Sequence, residues 1–129
     1  MIKYIVLLVE DDPINQITIK RCIGKKYKTL IADSSEEAMR VLKDNEVDLI
    51  LMDMSINGDK NGLELTKGLK IDSKYCHIPI IADTAHVFES NERNAFEAAC
   101  DAYLAKPFPL NELLERIESL IPVKESILS

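Results

Sequence analysis

Val47-Asp48-Leu49-Ile50-Leu51-Met52-Asp53 is an apolar run that rises from a polar segment and stops on a carboxylate. Continuous apolar runs of this length suit a strand covered on both faces of a parallel sheet, where no polar alternation is required. Asp53 then stands at the strand's carboxyl end, the edge at which open α/β sheets place their ligands. The segment after it, Asn57-Gly58-Asp59-Lys60-Asn61-Gly62, has loop composition, so Asp53 opens into a crevice. The bland alternative is an aspartate that only caps the next turn. One carboxylate does not decide between the two.

The remaining strands are read by the same rule. Ile2 to Val9 is apolar and rich in β-branched residues, and Lys28 to Ala32 is a short second strand. Ile78 to Ala82 is a fourth, with Pro79 kept to its start as ladder bonding requires. Ala102 to Ala105 is a fifth, closed by Lys106-Pro107. Helical signals lie between them. Asp12-Pro13 supplies an N-cap and first position for a helix toward Lys25, with Ile19, Cys22 and Ile23 inward. Ser34 and Glu37 form a capping box ahead of Ala38, Val41 and Leu42. Gly62 to Lys70 carries Leu65 and Leu69 on one face, and Ser90 to Cys100 is helical with Phe96 and Ala99 inward. The last helix is the clearest: Leu110, Leu113, Leu114, Ile117, Leu120 and Ile121 share one face, and Pro122 ends it. Five strand–helix alternations with short connections predict a parallel sheet with helices on both faces, in one domain spanning 1–122 and followed by a 123–129 tail.

Bulk properties narrow the partners. A chain of 129 residues that is 47% hydrophobic and 29% charged can bury a sizeable core. A formal charge of −6 without a basic run argues against a nucleic-acid surface on this domain. Three cysteines, Cys22, Cys76 and Cys100, lack metal or disulfide spacing and read as reduced thiols of a cytoplasmic protein. The apolar start is too short to span a bilayer and lacks a cleavage pattern, so no membrane segment is expected.

Chemistry collects at the strand ends. Glu10, Asp11 and Asp12 follow the first strand, Asp53 the third, Asp83 and Thr84 the fourth, and Lys106 the fifth. Parallel strands direct all these ends to one edge. Two carboxylates about 4 Å apart repel by roughly 4 kcal/mol at an effective dielectric near 20. A hard divalent cation relieves that repulsion, and an open oxygen-rich site suits Mg²⁺ rather than zinc. With Lys106 as fixed positive charge and Thr84 as hydroxyl, the group makes a cradle for a phosphoryl group, and Asp53 is the plausible nucleophile. Taken singly, each motif has an ordinary reading as a helix start, a cap or a strand end. Their coincidence at four strand ends is the signal.

LLVEDDPIN (7–15), LILMD (49–53), IPIIADTAH (78–86) and DAYLAKPF (101–108) together resemble the receiver domain of two-component response regulators, over Ile2 to about Ile121. The wording is most similar to receivers of hybrid kinases and phosphorelays. The resemblance implies a flavodoxin-like doubly wound (βα)5 fold with strand order 2-1-3-4-5. It implies Asp53 as phospho-acceptor, and Glu10, Asp11, Asp53 and the backbone carbonyl of Ser55 as ligands of Mg²⁺. Thr84 corresponds to the switch hydroxyl, Lys106 to the phosphoryl-pairing lysine before a cis proline, and Tyr103 to the aromatic that follows Thr84.

Further implications concern partners: a histidine kinase or histidine phosphotransfer domain as donor, a fused or separate output domain, and a monomer or a phosphorylation-linked homodimer. The output surface would be the face of the 90–100 helix, the fifth strand and the last helix. Such a domain is not an enzyme beyond its own phosphorylation and dephosphorylation. His86 and Ser55 stand where the family tunes loss of the phosphoryl group.

Two features depart from the family pattern. Ile56-Asn57 replace the usual Met-Pro, in a loop one residue longer, and Asp83 replaces an apolar residue. Alternation counted from Thr84 directs Asp83 away from the phosphate, toward a neighbouring helix, to pair with a basic side chain or meet a partner. Three other functions compete. A degenerate receiver would serve only as a binding surface, but the full acidic and basic set is retained. An aspartyl phosphatase would want an acid where Ser55 stands, and a nucleotide or flavin binder would want a Gly-rich loop after the first strand.

Overall fold

The computed structural model describes residues 3–56, 58–84 and 99–121. Five strands, β1 (Ile5–Val9), β2 (Lys28–Ala32), β3 (Leu49–Asp53), β4 (Ile80–Thr84) and β5 (Ala102–Ala105), form one sheet. All pairings are parallel and the order is β2-β1-β3-β4-β5, as the family resemblance implied. Helices α1 (Pro13–Ile23), α2 (Ser35–Asp44), α3 (Gly62–Ile71) and α4 (Leu110–Leu120) connect and follow the strands. The predicted 90–100 helix, His86 and the 123–129 tail lie outside the described residues, except that Ala99 and Cys100 are half-buried. No helix among the described residues is long and apolar enough to cross a membrane.

The pleat explains how an unalternating apolar run is used. Val6, Leu8, Leu49, Leu51, Ile81 and Leu104 face α1 and α4, meeting Ile19, Ile23, Leu113 and Ile117. Leu7, Val9, Ile50, Met52, Ile80 and Ala82 face α2 and α3, meeting Ala38, Leu42, Leu65 and Leu69. Strand residues therefore need be apolar on both sides, and the sheet becomes the middle of three layers.

Several boundaries differ from expectation by two residues. β3 begins at Leu49 rather than Val47, because Asp48 works beside the ladder: its carboxylate accepts from the Ile5 amide at 2.7 Å. β4 runs Ile80–Thr84 rather than 78–82, so Asp83 and Thr84 lie inside the strand and obey its alternation. Helix starts follow their caps. Asp12 accepts from the Ile14 amide, Ser34 from the Glu37 amide, and Asn61 forms a full capping box with Glu64. The Glu37 carboxylate accepts from the Asp33 amide at 3.0 Å.

Candidate functional site

Register decides which strand-end side chains meet. Asp53 is the Cα partner of Asp83, and both continue the Leu51 and Ile81 face of the sheet. Glu10 follows β1 and Lys106 follows β5. Their amides extend the ladders by donating to the Ala32 and Thr84 carbonyls, each at 2.9 Å. Alternation from Leu8 and Leu104 puts them on that face as well. Thr84 alternates to the opposite face, that of Ile80 and Ala82, where Tyr103 is the register partner of Ala82 and packs into the same core layer.

The carboxylates of Glu10, Asp53 and Asp83 bring oxygens within 4.8 Å of one another, and all three residues are buried. Asp11 is the next residue after Glu10 and is half-buried. Lys106 is the cation that holds the trio. Its Nζ donates to Glu10 Oε1 at 3.0 Å and lies 3.2 Å from Asp83 Oδ1 and 3.8 Å from Asp53 Oδ2. The other Glu10 oxygen, Oε2, accepts from the Asp12 amide at 3.1 Å, and the Gln16 side-chain amide donates to the Glu10 carbonyl at 2.6 Å. Asp53 Oδ1 accepts from the Ser55 amide at 2.9 Å and from its hydroxyl at 2.8 Å. Its two oxygens are thus distinguished: one held by Ser55, the other turned to Lys106.

Burial of three acids in one place raises the cost of their charge. Glu10 is pushed up to about 7, chiefly by desolvation and then by the adjacent Asp53. Asp83 also rises to about 7 through burial, against the opposing pull of Lys106. For Lys106, burial works downward, but the charges of Asp83, Glu10 and Asp53 outweigh it and hold the ammonium above its ordinary value. An all-carboxylate group with one lysine for three acids is a donor set that fits a hard divalent cation and not a thiophilic one.

Asp83 departs from its expected orientation. It turns into the acidic group, not away from it, because parity must be counted from its register partner Asp53 rather than from Thr84. Two supporting donors also escaped the sequence. Ser55 is expected to offer its backbone carbonyl to the metal and to tune loss of the phosphoryl group, whereas its amide and hydroxyl donate to Asp53 Oδ1, and Gln16 carried no signal. The bond before Pro107 is cis, as expected. The loop after Asp53 turns at Gly58, whose φ of 131° is left-handed, and Ile56 is buried in the core layer that includes Ala38 and Leu65.

Known proteins resemble this chain over nearly its full length. The family model described as "Response regulator receiver domain" matches residues 6–118. The polar-differentiation response regulator DivK of Brucella ovis is 35% identical over 117 residues, which is 90% of this chain and 94% of that protein. Among solved structures, the receiver domain of the sensor histidine kinase PA1611 of Pseudomonas aeruginosa superposes with a TM-score of 0.81 at 29% identity, covering 92% of this chain and 98% of that one. That structure carries a magnesium ion coordinated in its active-site cleft. The signal receiver domain of a histidine kinase from Syntrophus aciditrophicus gives a TM-score of 0.84 at 25% identity, with 98% of each chain covered.

Proposed function

The chain belongs to the response regulator receiver family of two-component signalling, and from that membership we propose that Asp53 accepts a phosphoryl group from a partner phosphohistidine. The observation that carries the reading is the placement of Lys106 Nζ over Asp53 Oδ2 in a buried carboxylate group at the strand edge. Ser55 occupies Oδ1 with two donors, so Oδ2 is the oxygen that attacks phosphorus. The new P–O bond forms as the P–N bond to the donor imidazole breaks, and the imidazole leaves with the electron pair and takes up a proton. Lys106 sits where it can neutralise charge on the transferring oxygens.

Glu10, Asp11 and Asp53, with the Ser55 carbonyl, would hold Mg²⁺, which supplies charge neutralisation of the phosphoryl oxygens when bound. The structural relative with magnesium in its cleft supports this assignment. Thr84 and Tyr103 share the opposite face of the sheet end, an arrangement suited to reporting the state of Asp53 to the surface beyond. Phosphorylation then favours one of two arrangements by binding it better. The domain signals rather than turns over substrate, and its three cysteines, none of them in a disulfide, suit a cytoplasmic setting.

The test is the response of amide spectra to Mg²⁺ and beryllofluoride, a phosphoryl mimic. Wild type should shift at residues around Asp53, Thr84 and Lys106, and Asp53→Asn should not. Identical spectra with and without beryllofluoride in folded wild type would overturn the reading.

A further inference from the structure

Asp83 is the acid that the phosphoacceptor reading leaves without a task. It is 0% exposed, and among the described residues neither oxygen receives a well-directed hydrogen bond. Its compensation is the ion pair with Lys106, at 3.2 Å. Glu10 differs in having the Asp12 amide on its second oxygen, and Asp53 differs in having both Ser55 donors. A buried carboxylate without donors depends on its cation far more than one already hydrogen-bonded. Asp83 therefore has the strongest claim on the lysine.

That claim bears on the site. Lys106 stands 3.2 Å from Asp83 but 3.8 Å from Asp53. Any cation shared by Glu10 and Asp53 would relieve those two acids and leave Asp83 with Lys106. A phosphoryl group on Asp53 must then draw the ammonium away from an acid that no other described residue satisfies. From this geometry, and resting on the reading of Asp53 as acceptor, we propose that Asp83 is a positioning residue: it parks Lys106 in the resting site and competes with the phosphoryl group for it.

The experiment is a double-mutant cycle with beryllofluoride and saturating Mg²⁺, binding being followed by fluorine NMR. Asp83→Asn and Asp83→Val should each bind beryllofluoride roughly tenfold more tightly than wild type, within the range of couplings in one ion-pair network. In a Lys106→Met background the gain from Asp83→Val should shrink to about twofold or less, because the competition needs the lysine. Equal gains in both backgrounds would show direct repulsion and overturn the proposal. As a readout independent of that background, the Lys106 side-chain nitrogen signal of the Mg²⁺-loaded protein should move on Asp83→Val. An unmoved signal contradicts the parking. A wild type that binds beryllofluoride while both Asp83 variants bind it no better overturns this proposal alone. A wild type that binds none overturns the phosphoacceptor reading and this proposal with it.

Discussion

At the scale of single residues, the site is three buried acids sharing one lysine, with Ser55 and the Asp12 amide supplying the remaining donors. Ser55→Ala removes the 2.8 Å hydroxyl contact to Asp53 Oδ1 and leaves the amide contact at 2.9 Å. Losing one hydrogen bond to a charged group should destabilise the metal-free protein by about 1.5 kcal/mol in urea denaturation. Glu10 and Asp83 set the pH dependence. Their folded values lie near 7, above the ordinary carboxylate range, so the folded state binds more protons than the unfolded chain between those limits. Stability from these groups is fully present at low pH and is lost as pH rises through about 7. The metal-free protein should accordingly melt ~5 °C or more higher at pH 5.5 than at pH 8, read by calorimetry. Apparent Mg²⁺ affinity should move the other way and weaken as pH falls below about 7, because ligation requires the ionised carboxylate.

At the scale of elements, the start of α3 sets the shape of the loop after Asp53. A Cβ on Gly62 would lie 2.6 Å from Met54 Cα and 2.7 Å from the Asp53 carbonyl, both backbone atoms that cannot swing aside. Gly62→Ala should cost roughly 1–3 kcal/mol and shift the Asp53 and Met54 amide signals. Gly68, in the same helix, has nothing within 4 Å of its would-be Cβ. Gly68→Ala should therefore stabilise by about 0.5–1 kcal/mol in the same assay. The strands were largely legible in the sequence, because burial on both faces demands apolar runs, while their order came with the family resemblance. β4 was the strand misread most consequentially: Asp83 and Thr84 read as a polar stop, yet the ladder continues through them. Periodicity alone does not reveal a strand that ends in two buried polar residues. Pairing with β3 does.

At the scale of the whole molecule, the candidate site depends on the parallel sheet directing distant segments to one edge. Residues 10, 53, 83 and 106 meet only because β1, β3, β4 and β5 lie in that order with these registers. The composition of the site was thus readable from the residues at each strand's carboxyl end, whereas its internal pairing was not. Which acid holds Lys106 is a matter of side-chain packing within a face. Because both core layers rest on the sheet, truncating a side chain far from the acids should act on stability and not on the chemistry. Leu113→Ala, in the layer beneath Leu51 and Leu104, should lose ~2–5 kcal/mol while retaining phosphoryl uptake in the surviving folded fraction, measured by urea denaturation beside a labelling assay.

The most direct measurement is intact-mass analysis after incubation with Mg²⁺ and acetyl phosphate, with the modified peptide mapped. Folded wild type should gain one phosphoryl group on Asp53, Asp53→Asn should gain none, and chelation of the metal should abolish uptake. Folded wild type that remains unmodified, or Asp53→Asn modified to the same extent, would contradict phosphoryl acceptance at Asp53.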